Sequence, residues 1–388
     1  MRSLAMLLAL PALLAATEPV APPSLSPWTP GTLDIHHIST GAGNATLFIL
    51  PNGTSLLVDA GDASALKLPG AEVFPDASRP VGTAIGRYVK RQLAAAGLPA
   101  ALDTVLLTHI HVDHVNGLAD LAKEVPVKRV IDRGWPTYTE PVPAIPQVLA
   151  PYREALAVVT ASGGRVERAR PGRADQIVEP SAGFELRIVA SNGEVWTGKG
   201  DDARSVFPPV ATSPGGLPGL PDENMCSIAL RIRLGAFDYF TGGDLPGVPD
   251  PGEPAWTDLE TPLAKVLGPL DVAVIGHHGS IDNTNAFWLA TTKPRVHVVP
   301  AWNATHPSPD VVKRLMAPGA YPGPRDVYVL ELREATAHTI GPRAERLASR
   351  HGHVVVRVPQ GGATYEVFVT ESRDESDRVL SRRTSESR

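Results

Sequence analysis

A layered α/β domain is the fold class this sequence predicts, and three observations carry that expectation. Apolar runs of strand length recur from Leu33 to Thr370, several of them with the alternation of half-buried strands. Segments with helical spacing interrupt them at intervals. No Gly/Ser-rich or charge-rich linker divides the stretch from 32 to 370, so it reads as one domain. Strands alternating with helices, with antiparallel stretches mixed in, pack as sheets covered by helices.

In order, "LDIHHI", "ATLFIL" and "TSLLVDAG" open the domain as a meander, the last two joined by the hairpin signal "PNG". "IGRYVKRQLAAAG" has helical spacing and stops at Gly97, with Pro99 after it. A buried strand at "DTVLLTH", a helix at "VNGLADLAKEV" and a strand at "VKRVIDRG" follow. Next come a helix within "PQVLAPYREALAVVTASGG" and strands at "ELRIVAS", "CSIALRIRL" and "FDYFTGGD". The last third supplies strands at "LDVAVIGHHGS", "RVHVVPAWN", "RDVYVLEL", "HVVVRVP" and "TYEVFVTE", with a helix at "SPDVVKRLMAPG". Two stretches look inserted, residues 65–80 and the Gly/Pro-rich residues 197–224. The polar, mixed-charge stretch 371–388 reads as a disordered tail.

Composition narrows the function classes. Hydrophobic residues at 43% against 20% charged exclude a wholly disordered chain. A net charge of −5 removes the global basic footprint of a nucleic-acid binder, while a local phosphate site stays open. Arg2, then the apolar run "LAMLLALPALLAA", then Pro-rich sequence reads as a signal peptide over 1–16 and a linker over 17–31. That run is too short to span a bilayer, and Pro11 inside it disfavours a packed helix. The mature chain is therefore expected to lack a membrane span and to be exported, to the periplasm or the medium. With Cys226 as the single cysteine, no internal disulfide can form, and the fold has to rest on its core.

The chemistry concentrates in "LLTHIHVDHVNGL", residues 106–118. Residues two apart in an extended segment point the same way, so His109 and His111 can offer imidazoles to one metal ion. Asp113 and His114 lie just beyond, where the chain turns into a helix, and can face a second ion. Imidazole plus carboxylate suits zinc, iron or manganese, and a set left open on one side is catalytic in type.

"THIHVDH" resembles the His-x-His-x-Asp-His signature of the metallo-β-lactamase superfamily, and further markers follow its order. "LLVDAGD" resembles the first motif, with Asp59 at a strand end; "FTGGD" the bridging-carboxylate motif, with Asp244; "VIGHHGS" the last metal-binding motif, with His277 or His278. The resemblance implies a single-domain αββα sandwich and two divalent ions, zinc before manganese or iron. It implies metal ligands at His109, His111, Asp113, His114, Asp244 and, by the length of the preceding strand, His277. One marker is missing: no histidine lies between His114 and His277, so the third-motif ligand is absent. That lack and the "HHGS" stretch resemble the hydrolase domain attached to ComEC-type DNA-uptake proteins. "TGAGNATLFILPNGTSLLVDAG", with Asn44 where that group has Asp, and "PAWNATHPSPDVVKRL", with His306, carry the same resemblance.

The expected function is an exported hydrolase using a metal-bound hydroxide, with Asp59 orienting ligating histidines, Asp113 at the reacting centre and His278 or His306 protonating the leaving group. The substrate the resemblance favours is a phosphodiester, small or in nucleic acid. A lactone, ester or β-lactam is the alternative within the same mechanism. A binding module with a degenerate metal site is the alternative outside it. His36, His37, His297, His338, His351 and His353 read as structural or surface residues, and Cys226 as core.

Overall fold

The computed structural model describes residues 23–68, 71–208 and 221–388. The expected signal peptide lies outside the described residues, as do residues 209–220 of the second insertion. Two sheets form the centre. The first runs in the order β17-β16-β15-β1-β2-β3-β4-β5-β6. Its strands are β1 (Leu33–His37), β2 (Thr46–Ile49), β3 (Ser55–Val58), β4 (Thr104–Leu106), β5 (Arg129–Asp132), β6 (Arg165–Arg168), β15 (His353–Val358), β16 (Thr364–Thr370) and β17 (Val379–Glu386). The second runs β14-β13-β12-β11-β10-β7-β8-β9. It comprises β7 (Phe184–Ser191), β8 (Glu194–Trp196), β9 (Ala203–Ser205), β10 (Ala229–Leu234), β11 (Phe237–Thr241), β12 (Val272–Val274), β13 (Val296–Val299) and β14 (Asp326–Val329).

The period-2 alternation of the strands decides the layering. Leu33, Ile35, Phe48, Leu56, Val58 and Leu106 of the first sheet meet Leu186, Ile188, Leu230, Ile232, Val272 and Val298 of the second in a shared core. Residues of opposite parity, Leu47, Ile49, Leu57, Val105 and Val130, turn outward onto α1 (Val81–Ala95), α3 (Leu118–Glu124) and α4 (Pro146–Ala161). On the far side Val189, Phe240, Ala273 and Val299 pack beneath α5 (Glu260–Leu267), α6 (Ala286–Thr292) and α7 (Pro309–Met316). The result is the expected αββα sandwich.

Two short parallel sets inside these mixed sheets position the site. β3, β4, β5 and β6 pair in parallel, as do β11, β12, β13 and β14. Loops at the carboxyl ends of parallel strands are where such sheets present ligands. Here those ends carry Asp59 after β3, His109 after β4, Asp244 after β11, the His277–His278 pair after β12 and His306 after β13.

Two expectations need correction. The stretch 371–388 is not a disordered tail: Val379–Glu386 is a strand paired antiparallel with β16, from Thr364↔Glu386 to Thr370↔Val379. Its side chains are largely exposed, so it lacks the apolar alternation that marks a strand in sequence; the backbone ladder holds it. The loop before it is tied to α1 by Arg87–Glu375 at 2.6 Å and Arg91–Asp377 at 2.9 Å. The linker expected over 17–31 is largely exposed from Pro23 onward but is tied to the domain at several points. Trp28 is buried and donates to the Thr32 carbonyl at 2.6 Å, and Leu25 N–H donates to the Asp377 carbonyl at 2.9 Å. No helix among the described residues is long and apolar enough to cross a membrane.

Truncation after Glu371 should therefore destabilise the domain. A loss of about 2 kcal/mol lowers Tm by roughly 3 °C in a domain of this size. An unchanged melting curve would return the stretch to a dispensable tail.

Candidate metal centre

The approach to the site is set by backbone hydrogen bonds. β4 ends at Leu106, and Leu107 N–H still pairs with the Ile131 carbonyl at 2.9 Å before the chain leaves the sheet. His111 is the N-cap of the short helix α2 (Val112–Val115), whose first turn holds Asp113 and whose last holds His114. The Asp113 carbonyl accepts from Asn44 N–H at 2.8 Å. Gly61 lies so close to that carbonyl that a Cβ would collide with it, which explains a glycine two residues after Asp59.

Asp59 is fully buried at positive φ and receives four donors. Thr108 N–H lies at 2.8 Å, Thr108 Oγ1 at 3.1 Å, Asn44 Nδ2 at 2.9 Å and His114 Nδ1 at 2.8 Å. The last contact decides a tautomer. A carboxylate there keeps the proton on Nδ1 and leaves His114 Nε2 as a bare lone pair. His278 is set the same way, because its Nδ1 faces the Pro300 carbonyl at 3.1 Å and a carbonyl only accepts. Yet the two bare Nε2 atoms face one another at 3.2 Å.

Two carboxylates join them. Asp113 Oδ2 lies 3.1 Å from His278 Nε2 and 3.9 Å from His114 Nε2. Asp244 Oδ2 lies 3.3 Å from His114 Nε2, 3.5 Å from His278 Nε2 and 3.8 Å from His109 Nε2. Four lone-pair atoms at such spacings repel unless a cation sits among them. Donors bound to one tetrahedral ion at about 2.0–2.2 Å lie roughly 3.3–3.6 Å apart, so the set fits a divalent metal. His109, His114 and Asp244 have ligand atoms all within 4.8 Å of one another, as do Asp113, His114 and His278. His114 has one free nitrogen and can serve one ion. Asp113, His114, His278 and Asp244 therefore form one ligand set. His109 and His111 begin another, with His109 Nε2 and His111 Nδ1 at 3.1 Å and Asp244 shared between the two.

Protonation in the absence of an ion follows the same contacts. Burial disfavours a charged His278, but Asp244 and Asp113 more than offset it and raise the ring to about 9. His114 is likewise raised well above its ordinary value, Asp244 and Asp59 overcoming burial. Burial raises Asp113 and Asp244, and the surrounding imidazoles, His114 foremost, bring both below the usual carboxylate range. His109 goes the other way: burial, then His114, lower it well below 6.5.

Asp59, His109, His111, Asp113, His114 and Asp244 thus come together as the sequence implies. The ring that stands beside Asp113 and His114 is that of His278, not of His277 as the strand length implied. His278, 1% exposed, lies in the buried ligand set, whereas His277, 26% exposed, lies at its rim with Nδ1 on Asp282 at 2.8 Å. The length of β12 misled because the chain does not continue extended. His277 and His278 both adopt left-handed φ, 45° and 54°, a conformation worth about 1–3 kcal/mol of strain per residue that turns both rings toward Asp244. His306 is mostly buried and stacks on His278, ring centroids 5.3 Å apart, with Trp302 at 6.4 Å. Burial and the neighbouring His278 lower it to about 3, so it is neutral at pH 7.

Several supporting residues escaped the sequence reading. Glu223 accepts Ile110 N–H at 2.7 Å, between the first two histidines, and is paired with the fully buried Arg133. Ser227 Oγ meets His109 Nδ1 at 3.3 Å and accepts from Asp244 N–H at 3.1 Å. Arg333 donates to the carbonyls of Trp302, Gly41 and Glu72 at 3.0–3.3 Å, tying the His306 loop to the glycine loop beside Asn44. These contacts span 17 to 292 residues and have no local signature, apart from Glu223 standing where the missing third motif would fall.

In comparison with known proteins, residues 38–185 are similar to the family described as the metallo-beta-lactamase superfamily. That span contains Asp59 and the His109–His114 motif, while Asp244 and His278 lie beyond it. No curated protein sequence matches the chain. Among solved structures, it is similar to CmlA, a diiron β-hydroxylase from Streptomyces venezuelae, at 13% identity over 85% of this chain and 54% of that one, TM-score 0.41. It is also similar to Igni18, a metallo hydrolase from Ignicoccus hospitalis KIN4/I, at 12% identity over 78% and 97%, TM-score 0.39. The chain spans about half the length of the CmlA chain.

Loading the apo-protein with Zn²⁺ at pH 7 should release protons, because His278 titrates near 9 and is protonated there. The raised value sets the sign: apparent affinity climbs with pH and flattens above about 9. Calorimetry in two buffers of different ionisation enthalpy should give roughly one to two protons per chain. Release of none would mean that the imidazoles are already neutral.

Proposed function

We propose that the chain is a metal-dependent hydrolase of the metallo-β-lactamase superfamily type, and that its substrate is a phosphodiester. The observation behind this reading is the position of "NATHPSP": the segment that resembles the ComEC-type hydrolase stands over the ligand set, His306 stacked on His278. A dinucleotide or a single-stranded nucleic acid is the natural form of such a substrate, and the acidic chain would engage it at the site alone.

Bound divalent ions supply an activated water near neutral pH and polarise the scissile group. The residues of the chain supply the rest. Asp59 and the Pro300 carbonyl hold the His114 and His278 tautomers, so each ring presents a lone pair without a rearrangement. Asp244, shared by both ligand sets, fixes their separation. His278 has both ring nitrogens engaged, which removes it from the role of proton donor. His306, neutral and buried against His278 and Trp302, is better suited to holding the ring and one wall of the site in place than to protonating a leaving group. Export belongs to the same proposal and rests on the apolar run at residues 4–16. A periplasmic form beginning near Thr17 supports it, and one that retains Met1 speaks against it.

A panel assay with Zn²⁺ or Mn²⁺ tests the substrate: bis-nitrophenyl phosphate, an oligonucleotide, a lactone, a nitrophenyl ester and a β-lactam. Fastest turnover of the phosphodiesters is expected. No turnover of any of them by protein with both ions bound would make the chain a binding module.

His306→Ala should leave metal content intact and lower turnover by about 10–100-fold, the effect of lost positioning. The loss should be similar for a phosphodiester with a nitrophenolate leaving group and for one with an alkoxide. A loss confined to the alkoxide would identify His306 as the general acid after all.

A further inference from the structure

The absence of a histidine between His114 and His277 leaves the set begun by His109 and His111 one protein ligand short, and the His277–His278 pair offers one more ring than the buried set uses. Three features of His277 bear on this. Its Nδ1 is held by the Asp282 carboxylate at 2.8 and 3.0 Å, so its Nε2 is a bare lone pair, as in His114 and His278. That Nε2 lies 3.9 Å from Asp244 Oδ2, the same atom that His109 Nε2 approaches to 3.8 Å. His277 N–H also donates to the Gly243 carbonyl at 3.2 Å, which couples the ring's position to the loop carrying Asp244.

Asn224 supplies an independent pointer. It stands in the 3₁₀ turn Asn224–Cys226 just before β10, where the missing third motif would fall. Its amide group is 3.4 Å from His277 Nε2, and its Oδ1 is buried without a hydrogen-bond partner. The two ends of an amide exchange by a flip, so either nitrogen or oxygen can face His277. With the oxygen inward, two lone-pair atoms stand 3.4 Å apart, the spacing of two ligands on one tetrahedral ion.

We infer that the two adjacent histidines serve different ions: His278 ligates the buried ion with Asp113, His114 and Asp244, and His277, assisted by the Asn224 amide oxygen, completes the set of His109, His111 and Asp244 in place of the absent third-motif histidine. Consecutive left-handed residues are what this requires, because neighbours in an extended strand would point to opposite faces. The two sites then differ in character. The buried one is closed by groups that are mostly inaccessible, and the other has a ligand at the rim that solvent and substrate can reach. The inference rests on the dinuclear reading above.

Metal content separates the two. Wild-type protein, stripped with chelator and dialysed against Zn²⁺, should hold two ions per chain by elemental analysis. His277→Ala and Asp113→Ala should each hold one, and the double variant none, because the two changes strike different sites. Added imidazole should restore the second ion to His277→Ala. Asp282→Ala, which removes only the partner of Nδ1, should weaken one of the two ions by about 10–100-fold and serves if His277→Ala does not fold. If His277→Ala keeps two ions, or if the double variant still holds one, His277 is not a separate ligand and the inference falls while the dinuclear reading stands. A wild-type protein holding a single ion also overturns the inference. One holding none overturns both.

Discussion

The carboxylate of Asp59 is the constraint on which the centre depends. Fully buried at the end of β3, it gathers Asn44 from the glycine loop, Thr108 from the end of β4 and His114 from α2 around two oxygen atoms. Each of those donors lies on a different segment, so one side chain fixes their mutual distances. By holding the proton on His114 Nδ1 it also determines what the far side of that ring can do. A buried carboxylate with fewer partners would be costly, whereas here its acceptor capacity is filled.

From that tautomer the rest follows electrostatically. Bare imidazole nitrogens and carboxylate oxygens converge within 3.1–3.9 Å, an arrangement that needs positive charge to be stable. Protons or divalent ions can supply it, and the raised His278 and lowered Asp113 express that competition. Packing keeps the groups from moving apart. The two sheets bury their facing residues in one core, so the ends of β3 and β4 and the ends of β11 and β12 cannot separate without opening it. Glu223 with Arg133, and Arg333 with its carbonyls, add ties between loops far apart in the chain.

Much of this was legible in the sequence, and the parts that were not share physical causes. The spacing of His109, His111, Asp113 and His114 revealed the site because strand and turn geometry are local. Asp59 and Asp244 were readable as acidic residues at the ends of apolar runs. Which of His277 and His278 stands beside Asp113 could not be read from the sequence, because two successive left-handed residues leave no mark on hydrophobic pattern, and strand length says nothing about them. β17 was missed because an exposed edge strand rich in Arg, Ser and Glu is held by its backbone ladder, to which side-chain periodicity is blind. Glu223 and Arg133 could not be paired in advance, since nothing local to either residue announces a partner 90 positions away.

Diffraction from a crystal of the Zn²⁺-loaded protein, measured above and below the zinc absorption edge, would test the electrostatic argument at its root. Two anomalous peaks are expected beside Asp244, one of them between the His114 and His278 Nε2 atoms, with the Asp59 carboxylate still on His114 Nδ1. No peak between those two nitrogens, or a His114 ring turned so that Nδ1 leaves Asp59, would contradict the account.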